Sequence, residues 1–477
     1  MTAHEAGAGA TVPGAGRNEF GHIESRGIDF IPDHERRGRP RELFTVWAAS
    51  NVNYLSIVVG GALTTLGLGA RQGLTVLALG CTFWVLAAFL AVSGPSAGTP
   101  SYIITRSMFG IRGNRLLAGL TWLLYVMFEA LNLSIAALAA FALLKFLGVT
   151  VALSVRLAIV VVLAVVTLGI SVYGHRTIVR LSTGFALVVT AIGGMLLFFI
   201  VPRLNLQFVP PGAPHGAKLL GALFVGFTVI ASGPLSWFGG ADYARYLPRA
   251  TPARSILLWS TLGAVVPAFI FGVIGVMAGT IVDMTDPQAS FIAILPHWAY
   301  LLFLAVIVVG TTTSNIMTTY SSGLILQAAG MTASRSKTVL FDGVIAVAIA
   351  SYALFISSFF TTLMNFLPLS VALFAPTMAI YVCDILLRRN RYDGLALNDE
   401  SPGGPYWYSG GVNRPAFVAQ GLGTIVALLC INTPVFVGPV SAALAGADLS
   451  ALAGPGVAAA VYVCLWPRMA PAGRKRP

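Results

Sequence analysis

Runs of about 20 apolar residues, the length that crosses a hydrocarbon core of roughly 30 Å as a helix, recur along the whole chain. They restrict its fold more than any other feature of the sequence. Charged residues make up only 10% of the 477 positions, whereas a soluble domain has roughly 25%. The lipid bilayer is therefore the expected solvent of this chain, and the sequence predicts an all-α polytopic membrane protein.

The apolar runs divide into about twelve predicted transmembrane helices. The first six are 44–68, 72–93, 116–146, 149–172, 179–201 and 218–243, and the other six are 255–279, 297–328, 336–358, 360–388, 415–438 and 449–466. Residues 1–40 are polar and glycine-rich and lack a signal-peptide pattern, so we predict a flexible cytoplasmic arm. A core at 41–410 follows, and residues 411–477 are predicted to hold two additional helices and a basic cytoplasmic tail.

The positions of lysine and arginine indicate the orientation in the membrane. Positive charges near the ends of spans resist translocation, so they collect in cytoplasmic loops. With the N-terminus inside, most of the 29 basic residues fall in cytoplasmic segments. The exceptions are Arg71, Lys145, Arg156, Arg203 and Lys218. The pattern predicts an even number of spans, with both termini on the cytoplasmic side of a plasma or inner membrane. The net charge of +12 follows these loops and does not indicate binding of nucleic acid.

Two of the predicted spans contain internal breaks. Span 1 reads WAASNVNYLSIVVGGALTTLG, in which polar residues lead into Gly60 and Gly61, and span 6 reads FTVIASGPLSWFGGADYARYLP. Proline and glycine weaken helices, and unwound backbone at membrane depth usually lines a polar cavity. The two spans are five apart, which is the spacing of two inverted five-helix repeats with a site between them. The repeats would cover about 44–201 and 218–388. The alternative is that the small residues only allow close helix packing.

Glu129 is the one acidic residue near the middle of a predicted span. Acids at this depth are costly and therefore indicate function. Asn132 follows three residues later, so the two side chains share one helical face and can point into one cavity. The alternative is a packing pair that bonds a neighbouring helix.

Three further polar or aromatic features mark spans 6 and 8. Trp237 lies between the glycine-containing segments of span 6, where its ring could stack on a flat ligand. Span 8 has a polar stretch from Thr311 to Ser322. Its hydroxyls could bind a ligand or a sodium ion, or bond back to their own helix. The Asn315 amide offers a donor and an acceptor that match the edge of a heterocycle.

The sequence contains no motif for an enzyme or a nucleotide-driven pump. It has no GxxxxGK[ST] phosphate-binding loop, no cluster with metal-ligand spacing and no pairing of nucleophile and base. We therefore predict no enzymatic activity, no cofactor and no bound metal. Any uphill movement of a solute would have to use an ion gradient.

Five segments resemble the nucleobase:cation symporter family, in particular its purine and cytosine permease branch. They are GIDFIPDHERRGRPRELFTVWAASNVN, GTPSYIITRSMFGIRGN, SWFGGADYARYLP, SNIMTTYSSGL, and DILLRRNRYD followed by GPYWYSGGVN, and they occur in the family's order from Gly27 to about Arg414. The resemblance implies a five-plus-five inverted repeat of the LeuT type, with two extra C-terminal helices.

The resemblance also implies roles for particular residues. Trp237 corresponds to the tryptophan that stacks on the base, and Asn132 to an asparagine that contacts it. The family's contact in helix 8 falls at Ser314 or Asn315, close to Met317, where many eukaryotic members have a proline. With Glu129 and the span 1 residues Asn53 and Ser56, these are the predicted substrate-binding residues.

The expected function is a symporter that imports cytosine or a purine together with protons by alternating access. Glu129 is the predicted site of the coupling proton. The alternative ion is sodium, for which Gly60, Thr311 and Ser314 are the candidate site. The alternative substrates are allantoin, hydroxymethylpyrimidine, uracil or an amino acid, and a receptor that binds a base without transport is the rival from another class. The oligomeric state is open.

Overall fold

The computed structural model describes residues 28–171, 175–331, 333 and 335–468, and these residues form helices joined by short loops. In chain order the helices are α1 (Pro40–Asn51), α2 (Tyr54–Thr65), α3 (Ala70–Cys81), α4 (Trp84–Leu90), α5 (Ser93–Ala97), α6 (Ser101–Ile104), α7 (Arg106–Phe109), α8 (Ile111–Phe146), α9 (Leu153–Ser171), α10 (His175–Ile200), α11 (Ala217–Ser236), α12 (Gly240–Ala244), α13 (Ala253–Ala278), α14 (Pro287–Ser290), α15 (His297–Ala328), α16 (Arg335–Phe355), α17 (Phe359–Leu387), α18 (Gly394–Leu397), α19 (Arg414–Cys430), α20 (Pro439–Ala443) and α21 (Ser450–Leu465). Much of the predicted N-terminal arm and the end of the basic tail lie outside the described residues.

The long apolar helices follow the predicted spans closely. In the described part of the chain, 8 helices are long and apolar enough to cross a membrane, and the bent pair α1 and α2 would make a ninth span. Three shorter apolar helices, Leu187–Arg203, Arg414–Cys430 and Ser450–Leu465, lie where predicted spans 5, 11 and 12 fall. The prediction of an all-α polytopic membrane protein is confirmed, and the number twelve stays a prediction.

The first break separates α1 from α2, whose axes differ by 57°. It lies at Val52 and Asn53, before the glycine pair and not at it. Asn53 is extended, and its side-chain oxygen accepts a hydrogen bond of 3.0 Å from the backbone N–H of Ser56. This bond caps the first turn of α2 and satisfies a donor that the helix itself leaves free. Asparagine at this position therefore both ends one helix and begins the next.

The glycines of span 1 serve close packing inside α2. A methyl group built on Gly60 would lie 2.2 Å from the backbone oxygen of Gly272 in α13, and one on Gly275 would lie 2.0 Å from the backbone oxygen of Ile57. Contacts this short leave no space for a side chain, so α2 and α13 approach through their backbones. Small residues allow this close approach of membrane helices.

The second break separates α11 from α12. The helix ends at Ser236, and Trp237 continues in an extended conformation before α12 begins at Gly240. Pro234 lies in the last turn of α11, where it withholds a backbone N–H and favours termination of the helix. Both breaks thus occur in the spans in which the sequence predicted them.

A buried ion pair ties the end of α17 to neighbouring segments. Asp384 accepts hydrogen bonds from Arg388 at 2.9 Å, from the Tyr392 hydroxyl at 2.9 Å and from the Tyr462 hydroxyl at 2.7 Å. Arg388 also donates to the backbone oxygen of Ser107, in α7. One carboxylate therefore links α17 with the C-terminal helix α21 and, through Arg388, with the segment between α5 and α8.

Candidate functional site

A cavity of about 140 Å³ lies where the two breaks meet. Its wall comes from α1, α2, α3, α4, α8, α11, α13, α15 and α17, with the residues of both breaks among them. The polar residues of the wall are Ser50, Asn51, Asn53, Ser56, Asn132, Ser232, Ser314 and Thr318. None of the lining residues is charged, so the wall is suited to a neutral ligand with hydrogen-bonding groups.

Several lining hydroxyls already donate a hydrogen bond to a carbonyl of their own helix. Ser50 donates to Val46 at 3.1 Å, and Ser232 donates to Val229 at 2.7 Å. A hydroxyl that donates locally keeps its oxygen lone pairs free to accept. Ser232 therefore presents an acceptor to the cavity, which an N–H group of a ligand matches, whereas Ser50 also bonds the hydroxyl of Tyr243.

Trp237 lines the cavity and is held by a second aromatic ring. Its ring centroid lies 5.1 Å from that of Tyr125 in α8, with the planes inclined by 32°. The Tyr125 hydroxyl accepts a hydrogen bond of 2.7 Å from Tyr102 in α6. The indole N–H of Trp237 is buried and has no partner among the residues that the structure describes. The site thus holds an aromatic ring in a fixed orientation, with its N–H buried.

On α8, Asn132 and Phe128 line the cavity, whereas Glu129 does not belong to its wall. Each residue turns the helix by about 100°. Side chains four residues apart, such as those of Phe128 and Asn132, therefore differ in direction by about 40°, and side chains three residues apart, such as those of Glu129 and Asn132, differ by about 60°. The Glu129 carboxyl instead lies beside Thr319 and Ser322 of α15 and near Asp342 of α16. Glu129 and Asn132 therefore point toward different surroundings.

On α15, Ser314, Met317 and Thr318 face the cavity. They recur at the three- and four-residue spacing of one helical face. Asn315 lies outside this set and is buried, with its side-chain oxygen lacking a partner among the described residues. Of the two alternatives for the contact on this helix, Ser314 is the one that reaches the cavity.

The three residues of the candidate sodium site have different surroundings. Gly60 packs against Gly272, Ser314 lines the main cavity, and Thr311 lines a separate space of about 20 Å³ beside Tyr54. Within the described part of the chain, no group of three or more histidine, cysteine or acidic side chains could hold a metal ion.

Several aromatic residues of the wall were not predicted from the sequence. Trp47 of α1, Phe128 of α8 and Trp84 of α4 all line the cavity. The position of Phe128, one helical turn before Asn132, is a signal that could have found it. Trp84 begins α4, directly after the short interruption at Thr82 and Phe83, and the apolar residues around it do not show which side of the helix faces the cavity.

Broken helices that meet at a central cavity in a bundle of membrane-spanning helices define the class of secondary transporters. The chain belongs to the family described as permeases for cytosine/purines, uracil, thiamine and allantoin, whose family model matches residues 30–454. The predicted membership in the nucleobase:cation symporters is thereby confirmed, and the family is one of transporters and not of enzymes.

Two curated relatives extend over most of the chain. The putative purine-cytosine permease YxlA of Bacillus subtilis is 27% identical over 465 residues, which cover 94% of this chain and 97% of the relative. The purine-cytosine permease fcyB of Emericella nidulans is 25% identical over 477 residues, with 94% and 89% covered.

Solved structures show the same fold. The nucleobase-cation-symport-1 family transporter Mhp1, in a closed conformation with bromovinylhydantoin bound, aligns with a TM-score of 0.74 at 18% identity, covering 94% of this chain and 96% of that one. Its inward-facing conformation aligns with a TM-score of 0.71 at 20% identity, with 94% of each chain covered. This likeness confirms the predicted fold class, and the paired breaks in spans 1 and 6 are consistent with the inverted repeat.

Proposed function

We propose that this protein is a secondary active symporter that carries a nucleobase, cytosine or a purine, into the cell together with protons. The observation that carries the proposal is the uncharged cavity between the two helix breaks, with Trp237 and hydrogen-bonding side chains in its wall. A nucleobase is flat, neutral and edged with donors and acceptors. These properties match an aromatic ring beside amides and hydroxyls.

In this proposal, Trp237 stacks on the face of the base. Asn132 reads the edge from α8 through its amide, and Asn53 and Ser56 do so from the break between α1 and α2. On α15 we expect Ser314, and not Asn315, to be the contact, because Ser314 lines the cavity.

The volume of the cavity supports a small planar substrate. A protein cavity of roughly 150 Å³ holds a benzene molecule, and this cavity measures about 140 Å³. A single ring such as cytosine therefore fits the site as it stands, and a purine would need modest adjustment of the wall. Bromovinylhydantoin in Mhp1 is also a planar heterocycle, which makes allantoin, itself a hydantoin, an alternative substrate to include in tests.

We further propose that Glu129 binds the coupling proton. A buried carboxyl without a basic partner is most stable when neutral, so it can take up a proton on one side of the membrane and release it on the other. Sodium remains the alternative ion. The separate surroundings of Gly60, Thr311 and Ser314 give it less support than the proton.

We expect both termini of this multi-pass protein to lie in the cytoplasm, because the basic residues collect in the segments on that side. Alternating access would move α1 and α2 with α11 and α12, since these broken helices form the site and belong to matching positions of the two proposed repeats. The core at 41–410 would then be the transporting unit, with α19 and α21 outside it.

Uptake of radiolabelled substrates tests this function. Cells that lack their own carriers would express the protein and receive cytosine, adenine, hypoxanthine, uracil, allantoin or hydroxymethylpyrimidine, each with unlabelled amino acids as competitors. We expect the cells to take up at least one base, and we expect amino acids not to inhibit that uptake. Inhibition by an amino acid would favour an amino-acid carrier. If none of the heterocycles is taken up and none competes with another, the proposal is excluded.

A further inference from the structure

Two buried acids lie behind the cavity wall, at the interface of α8, α15 and α16. Glu129 of α8 is 1% exposed, and Asp342 of α16 is fully buried. The Trp122 indole N–H donates a hydrogen bond to one oxygen of Asp342. Neither acid belongs to the wall of the cavity. They form a second polar centre, which shares helices α8 and α15 with the cavity.

Ser322 of α15 lies between the two acids. Its side chain lies beside the carboxyl of Glu129 and beside that of Asp342, and Thr319 lies one turn away beside Glu129. Both α15 residues are fully buried. Four oxygen atoms, one from each of these side chains, have no hydrogen-bond partner among the described residues: Glu129 Oε1, Thr319 Oγ1, Ser322 Oγ and Asp342 Oδ2.

No basic side chain in the described part of the chain offsets the two carboxyls. Among the described residues, Asp342 is the ionisable group near Glu129, and the other polar groups near the pair are the hydroxyls of Thr319 and Ser322 and the indole of Trp122. Helix α9, which packs on all three helices, carries Arg156. Its guanidinium lies over the ring of Phe141, three turns of α8 beyond Glu129.

Two carboxylates at close range in a low dielectric cannot both be charged without a large cost. A proton shared by the pair removes that cost. Because hydroxyl hydrogens rotate, Ser322 can donate to either carboxyl and accept from the other.

We propose that Glu129, Ser322 and Asp342 form a proton-binding pair of carboxyls with a bridging hydroxyl, and that Asp342 is the second carrier of the coupling proton. A proton from water binds one carboxylate, passes through the Ser322 hydroxyl to the other, and leaves to water on the opposite side. The inference rests on the proposed symport. It adds that the proton is bound outside the substrate cavity, at carboxyls that do not belong to its wall.

Purified protein in proteoliposomes separates substrate movement from proton movement. Counterflow exchange of labelled base requires the substrate site alone, whereas accumulation against a base gradient requires the proton. One proton per base gives about tenfold accumulation per unit of pH gradient. We expect Glu129→Gln and Asp342→Asn to keep counterflow and to lose accumulation driven by the pH gradient. Asp283→Asn, at an exposed loop acid, should keep both.

Each outcome decides between the alternatives. If Asp342→Asn accumulates base as the wild type does, the pair is wrong. If either variant is folded but loses counterflow together with accumulation, that residue is a substrate or structural residue and the pair is again wrong. If the wild type exchanges no base at all, the proposed function itself fails.

A labelling experiment on the wild type covers the case in which the variants do not fold. Dicyclohexylcarbodiimide adds to protonated carboxyls in apolar surroundings and leaves a stable acylurea. We expect mass spectrometry to find the adduct on Glu129 or Asp342 at acidic pH, and to find less of it as the pH rises. Absence of the adduct from both residues at acidic pH would overturn the proposal.

Discussion

The ring of Tyr125 packs against the indole of Trp237, with centroids 5.1 Å apart. The hydroxyl of Tyr125 is fixed in turn by Tyr102. A helix break leaves Trp237 without the support of a regular helix, so its orientation depends on this contact. Tyr125 is therefore a positioning residue for the aromatic face of the site.

Replacement of Trp237 tests the stacking contact. Trp237→Ala should weaken binding of the base by about 1 to 3 kcal/mol, the range found for stacking of bases on aromatic side chains. Trp237→Phe should retain much of the affinity because it keeps an aromatic face. Tyr125→Ala should raise KM less than Trp237→Ala does, and Tyr125→Phe, which keeps the ring, should have a smaller effect still. KM values from uptake give the order, and equal KM values for Trp237→Ala and the wild type would contradict it.

Asn132 and Glu129 are predicted to have separable effects. Asn132→Ala removes a hydrogen-bonding group from the cavity wall and should raise KM for the base by about 5- to 30-fold, the cost of one or two hydrogen bonds at roughly 1 to 2 kcal/mol in total. Its dependence on external pH should stay that of the wild type. Glu129→Gln should flatten the pH dependence and leave KM near the wild-type value. If Glu129→Gln instead raised KM and Asn132→Ala flattened the pH dependence, the placement of Glu129 outside the cavity wall would be contradicted.

Close packing of α2 on α13 gives a prediction about stability. Gly60→Ala places a methyl group 2.2 Å from the backbone oxygen of Gly272, and overpacking of this kind costs about 1 to 3 kcal/mol. Gly119→Ala is the matched control, because nothing lies within 4 Å of the added methyl group and alanine favours a helix over glycine. Thermal unfolding in detergent should show a lower Tm for Gly60→Ala and an unchanged or higher Tm for Gly119→Ala.

The ion pair at the end of α17 gives a second prediction about stability. Asp384→Ala leaves the guanidinium of Arg388 without its carboxylate partner, and loss of one member of a buried pair typically costs about 3 to 5 kcal/mol. Asp399→Asn, at an acid that hydrogen-bonds Ser401 on the surface, should change Tm much less. Similar Tm values for the two variants would show that the Asp384 network does not stabilise the fold.

The helices and helix breaks that were predicted correctly are those determined by residues close to them in sequence. Span 8 was predicted at 297–328, and α15 runs from His297 to Ala328, because its ends coincide with a preceding proline and a following turn. The break in span 1 was found from its polar residues, although Asn53 and not the glycine pair is the point where the helix changes direction. Span 11 was predicted to 438, but α19 ends at Cys430. The apolar residues that follow it lie in a loop.

The composition of the cavity was only partly predictable. Trp237, Asn132, Asn53, Ser56 and Ser314 line it, and each was marked by a break or by a polar group in an apolar span. The contribution of Cys81 and Trp84 depends on which side of an apolar helix faces the centre, and that is set by packing of distant segments. The direction of Glu129 was missed for the same reason, since Asp342, which lies near its carboxyl, is far away in sequence.

Protection of a cysteine in the cavity tests most directly whether a nucleobase occupies the space between the two breaks. A Ser314→Cys variant with Cys81, also in the wall, replaced by serine would be treated with a small maleimide, and the exposed Cys464 would serve as the internal control. We predict that a transported base slows alkylation at position 314 in proportion to its concentration and leaves Cys464 unaffected, while amino acids change neither. Equal rates at position 314 with and without a saturating transported base would contradict the account.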